Sequence, residues 1–106
     1  MNLTEQQKVN LLGAMGATGA APPVVIKDFI DSEGMQGQIT VGQARAQLSQ
    51  THRLELMTIQ GPRFFSRFTE NFCGQTGLTV EQCDAVIAAL QDAEVIIEAK
   101  KAELQA

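Results

Sequence analysis

The chain has 106 residues, 44% of them apolar, enough for one modest helical core. Its net charge of −4 argues against a general nucleic-acid coat. Cys73 and Cys83 are too few for a disulfide framework, and no secretory leader or run of eighteen apolar residues is seen, so one cytoplasmic domain spanning residues 1–106 is expected, with no membrane span.

The first helix is expected over residues 4–16. Thr4 caps its open N–H groups, Gln7 returns the bond, and Val9, Leu11, Leu12 and Met15 are apolar. Gly13 weakens its second half. The small residues from Gly16 to Pro22 form a linker, which would leave this helix loosely attached. Pro22-Pro23 opens a second helix, because a proline in the first turn forfeits no helical hydrogen bond. Val25, Ile26, Phe29 and Ile30 are its buried stripe, Lys27, Asp28 and Asp31 face water, and it stops near Glu33 with Gly34 as cap.

After the loop Gly34 to Gln38, Ile39-Thr40-Val41-Gly42-Gln43 repeats the starting device of an apolar residue, a Thr cap and a Gln three residues on. The third helix places Val41, Ala44, Leu48, Leu56 and Ile59 on one face, and Gly61-Pro62 is expected to end it. Residues 53–59 partly alternate, and a short strand is the alternative there. Helix is preferred because no second strand exists to pair with it. A fourth helix is expected from Pro62 to Phe72, with Phe64, Phe65, Phe68 and Phe72 sharing a face and buried as core.

Cys73 to Gly77 is a loop, and Leu78-Thr79-Val80-Glu81-Gln82 uses the starting device a third time. It launches a long helix from Thr79 to Leu104, in which Cys83, Leu90, Ile97 and Leu104 recur every seven residues. Val86, Ala93, Ala89 and Ile96 widen the stripe, and Val95, Ile96 and Ile97 are consecutive. That is more apolar surface than one core face needs. Leu90, Val95, Ile96, Ile97 and Leu104 are therefore the candidate partner-binding residues, in a homodimer or against another protein, the alternative being a monomer in which the first and second helices wrap both sides of the long helix.

Charge is unevenly placed. Residues 40–68 hold Arg45, Arg53, Arg63 and Arg67 against Glu55 alone, whereas residues 69–106 hold seven acids against Lys100 and Lys101. Two solvated faces of opposite sign account for this. The four arginines are also the candidate anion-binding set, and head-to-tail self-association is a further consequence of the asymmetry.

Sliding the chain by 39 residues aligns Phe29 with Phe68, Ile39 with Leu78, Thr40 with Thr79, Val41 with Val80 and Gln43 with Gln82, as in two helix-loop-helix units. With Gly37-Gln38-Ile39-Thr40 as a loop centre and Leu78 as the counterpart of Ile39, the chain from about Val24 onward resembles a degenerate pair of EF-hands. The resemblance implies ligand positions at Ser32, Gly34, Gln36 and Gln43, and at Asn71, Cys73, Gln75 and Gln82. A calcium loop needs several carboxylates and a closing Glu, so calcium binding is not expected.

Catalytic and metal constellations are not evident. His52, Cys73 and Cys83 lack zinc-site spacing and a fourth ligand, and nothing in the sequence places His52 beside a thiol. The glycines from Gly13 to Gly19 follow a helix rather than a strand and lack the Gly-Lys-Ser/Thr of a phosphate loop. Asp28 and Asp31 lie on a solvent face. A helix-turn-helix over Thr40 to Phe68 lacks a small turn residue in Leu48-Ser49-Gln50-Thr51-His52. The sequence thus predicts an all-α, compact four- to five-helix bundle with the long C-terminal helix as its spine. Its expected role is a non-enzymatic interaction module or adaptor without cofactor or metal. The alternative is a small nucleic-acid-binding regulator acting through residues 45–67.

Overall fold

A computed structural model describes residues 1–106. Five helices follow one another: α1 (Glu5–Ala17), α2 (Pro22–Ser32), α3 (Val41–Thr51), α4 (Arg53–Cys73) and α5 (Val80–Gln105), with no strand. The all-α class and the long C-terminal helix are as the sequence predicts. No helix is long and apolar enough to cross a membrane.

Helix starts are fixed by local chemistry. In α1, α3 and α5 the Thr hydroxyls of Thr4, Thr40 and Thr79 accept from the N–H of Gln7, Gln43 and Gln82 at 3.1, 3.1 and 3.2 Å. The Gln side chains accept in return from the Thr N–H at 2.9, 2.9 and 3.0 Å. Each box satisfies two donors that the first turn leaves open. Gln43 and Gln82, closing positions in the EF-hand alignment, thus spend their side-chain oxygens on caps. At the end of α2, Gly34 takes φ 69°, which suits a residue without Cβ. Gly34 N–H donates to the Asp31 carbonyl at 3.2 Å and Met35 N–H to the Ile30 carbonyl at 3.0 Å. This paired arrangement closes the last turn and turns Met35 inward, where it is buried.

The chain divides into two compact units, residues 1–68 and residues 69–106. In the first, α1 packs on α2 and α2 on α3. Its core is entirely apolar. Leu3, Leu11, Leu12 and Met15 come from the N-terminal segment, Val25, Ile26, Ile30, Met35 and Ile39 from α2 and the following loop, and Ala44, Leu48 and Leu56 from α3 and α4. The N-terminus is tied down by Gln47, whose Oε1 accepts from Leu3 N–H at 2.7 Å and whose Nε2 donates to the Met1 carbonyl at 3.2 Å.

Three expectations are corrected. The helix beginning at Val41 ends at Thr51, not at Gly61-Pro62. His52 leaves the helical region at φ −132°, ψ 46°, and residues 53–59 are helical within α4. Two local bonds accompany the break: Thr51 Oγ1 donates to the Gln47 carbonyl at 2.8 Å, and His52 N–H to the Leu48 carbonyl at 2.7 Å. The His52 ring is held to Glu5 in the first turn of α1. Pro62 lies inside α4, where it removes the N–H that the Thr58 carbonyl would accept. The phenylalanines Phe64, Phe65 and Phe68 are exposed rather than buried, because the core-facing side of α4 is the one that carries Leu56.

In the second unit the chain turns after α4 through Gly77 at φ 79° and enters α5. Phe72, Leu78 and Val86 line a shallow hollow at this turn, and Cys83, Val86 and Ala93 of α5 are half-buried. No residue of α5 is buried, so it does not act as the spine of a core. The 39-residue alignment matches cap with cap, but Ile39 is buried in the core whereas Leu78 is half-buried.

Candidate functional site

The helix α4 carries two distinct faces. Leu56, Gln60, Arg63 and Arg67 follow one another at intervals of four, three and four residues and so lie along one side. Leu56 reaches the core. The Arg63 guanidinium crosses to the end of α1, a helix with no basic residue in its last turn. Its Nη1 donates to the Ala20 carbonyl at 3.1 Å, and its Nη2 to the carbonyls of Met15 and Thr18. A cation set against open carbonyls at a helix C-terminus is favoured by both hydrogen bonding and the helix dipole. The small-residue linker is therefore clasped from the far end of the unit. Gln60, with its side-chain oxygen turned toward α3, accepts from Arg45 Nη2 at 2.7 Å and Nε at 3.2 Å.

The neighbouring side of α4 is apolar and faces water. Leu54, Met57, Phe64, Phe65 and Phe68 are all exposed, Phe64 at 67% and Leu54 at 75%. The Phe64 and Phe65 rings meet edge to face with centroids 5.9 Å apart. Where these two faces meet lies an open cleft of about 480 Å³. Pro22 and Pro23, at the start of α2, form one wall, and Met57, Gly61, Phe64 and Phe65 form the other. Arg45 and Arg67 line it as exposed cations, together with half-buried Arg63 and Gln60. The structure therefore gathers three of the four sequence-predicted arginines, Arg45, Arg63 and Arg67. Arg53, the first residue of α4, does not line the cleft. None of the four is ion-paired with a carboxylate of the chain, since the ion pairs involve only Lys8, His52 and Lys100 as cations.

The second surface is α5 itself. Leu90, Val95, Ile96, Ile97 and Leu104 are all exposed, Ile96 at 71% and Ile97 at 66%. Leu90, Ile97 and Leu104 share one stripe with Cys83. Val95 points away from that stripe, by the helical period of 100° per residue, and Ile96 lies at its edge. The five residues thus form a seam with outliers rather than one patch. Ile96, Ile97 and Leu104 border a shallow hollow with Lys100 and Lys101, and Lys100 pairs with Glu103 at 3.1 Å.

The remaining candidates resolve simply. His52 Nε2 bonds Glu5, and its Nδ1 is 4.0 Å from Glu55. Cys73 is exposed, Cys83 half-buried, and both are free thiols. No group of three or more His, Cys, Asp or Glu side chains comes together. Among the EF-hand positions, Ser32 Oγ donates to the Phe29 carbonyl at 2.9 Å and Gln36 Nε2 to the Asp31 carbonyl at 3.2 Å. The roles of Gln47 and Gln60 as ties between distant segments are not signalled by the sequence. That of Arg63 has one weak signal: α1 ends without a cation of its own. No family model, curated protein or solved structure gives a significant match to this chain.

Proposed function

We propose that the protein is a non-enzymatic interaction module that self-associates through its C-terminal helix. One observation carries the reading: α5 buries no residue while leaving Leu90, Ile97 and Leu104 exposed along one seam. Apolar surface concentrated along a helix of 26 residues is costly to leave in water and is the usual mark of a protein interface. The exposed phenylalanines of α4 add to the same surplus. The first unit has its own all-apolar core, so it does not need this seam for its interior.

The test is the molar mass in solution, by light scattering behind a sizing column, across protein concentration and at two salt concentrations. A dimer is expected, and Leu90→Asp is expected to return it to the monomer mass without loss of helicity. A monomer at every concentration and salt overturns the reading.

A further inference from the structure

We propose that the Arg45–Arg67 cleft of the first unit is the receiving site for α5 of a second copy of this chain, so that two copies associate head to tail. This rests on the self-association reading above and adds which surface the helix meets.

Charge complementarity and its unsatisfied state on both sides carry the argument. The cleft is lined by apolar Pro22, Pro23 and Phe64 and by the exposed cations Arg45 and Arg67. Arg45 spends two of its donors, Nε and Nη2, on Gln60. A guanidinium has five N–H groups in a fork that suits a carboxylate, so the others remain to bind one. Arg67 has no carboxylate partner in its own chain.

A complementary ligand presents an apolar ridge flanked by acids at helical spacing. α5 has this pattern. Leu90 and Ile97 form the ridge, and Glu94 and Glu98, four residues apart, lie beside it with Lys101 as the one cation on that side. Both acids are exposed, and Glu103 is the only acid of α5 that is ion-paired. The segment donating the ridge holds seven acids against two lysines, and the segment forming the cleft holds four arginines against one acid. Two α5 seams laid parallel and in register would bring like acids together, whereas seating α5 in the cleft sets opposite charges against each other. Each chain carries one cleft and one α5, so each copy has both a donor and a receiver surface.

A charge-swap pair tests this. Arg45→Glu/Arg67→Glu inverts the charge of the cleft, and Glu94→Arg/Glu98→Arg inverts that beside the ridge. All four positions are exposed, and circular dichroism together with the thermal midpoint verifies each fold. Light scattering and sedimentation then compare wild type, each variant alone and an equimolar mixture. Each variant alone is expected to dimerise more weakly than wild type by roughly tenfold or more, and the mixture to recover association, because every cleft then faces a helix of opposite sign. Wild-type association is expected to weaken as salt rises. Dimers in both variants as strong as wild type, with Leu90→Asp still monomeric, overturn the cleft as the receiving site and leave self-association through α5 standing. A mixture no better than its components overturns the pairing. A wild type that is monomeric throughout overturns both proposals.

Discussion

Arg63 shows how a single side chain can decide the behaviour of a distant segment. Its guanidinium satisfies carbonyls of Met15, Thr18 and Ala20, at the end of α1 and in the small-residue stretch beyond it. Removing it leaves those acceptors to water and frees the stretch. Arg63→Met keeps much of the apolar stem but no donor. It is expected to cost about 1.5–3 kcal/mol, the range for hydrogen bonds to a charged group. Urea denaturation measures this, and hydrogen exchange should speed up across residues 16–21. An unchanged midpoint with unchanged exchange would show that the clasp contributes nothing. The sequence offers Arg63 only as one of four cations in a basic segment. Its structural partners lie more than forty positions away, and no local pattern announces a bond of that kind.

At the scale of the element, what was legible is what is encoded within a few residues. The three Thr-x-x-Gln starts, the glycine stop of α2 and the buried stripe of Val25, Ile26 and Ile30 could all be read because their partners sit three or four residues apart. Thr79→Ala tests the most isolated of them. Losing the cap of α5 is expected to cost on the order of 1 kcal/mol, seen as a drop in helicity at the start of the helix. At α4 local chain breakers and the tertiary fold disagree. Gly61-Pro62 has the chemistry of a stop, yet the helix passes through it, its side chains anchored by Leu56 in the core and by Arg63 on α1. The proline is therefore tolerated rather than favoured. Pro62→Ala is expected to raise stability by about 2 kcal/mol, the lost helix penalty of about 3 less the entropy that a proline removes from the unfolded chain. A fall in the thermal midpoint would mean that the proline sets a bend the unit needs. The exposure of the Phe64, Phe65 and Phe68 stripe has a related cause. Periodicity identifies an apolar face but does not say which of two faces meets the core, and here Leu56 settles it.

For the whole molecule, burial is concentrated at one end of the sequence. Every buried residue lies between Leu3 and Leu56, while the exposed large hydrophobics cluster on α4 and α5. Stability and association should therefore respond to different substitutions. Leu48, fully buried, is expected to cost 2–5 kcal/mol as Leu48→Ala, in the range of large-to-small core changes of about that size, with the association constant of the folded fraction unaffected. Leu90→Asp should do the reverse, leaving the unfolding midpoint of monomeric protein near that of wild type. Thermal unfolding at low concentration, set beside molar mass at high concentration, separates the two. If Leu90→Asp unfolds the protein, α5 is part of the stabilising core after all. The candidate surfaces were partly foreseeable, since the surplus of apolar residues on α5 and the grouping of arginines are properties of composition and spacing. The cleft was not, because it is assembled from Pro22, Arg45 and Phe64, residues brought together only by the fold.

The clasp at Arg63 also bears on how the protein is made. α1, α2 and α3 pack on their neighbours in sequence, so these helices can begin to associate while the rest of the chain is still on the ribosome, as short-range contacts favour rapid folding. The last apolar side chain of the core is Leu56, and the last polar tie is Arg63. Both must clear the exit tunnel before the first unit can close. Every buried side chain and the Arg63 clasp lie before the acidic residues 69–106, so the first unit has all of its own packing partners by the time α5 leaves the ribosome.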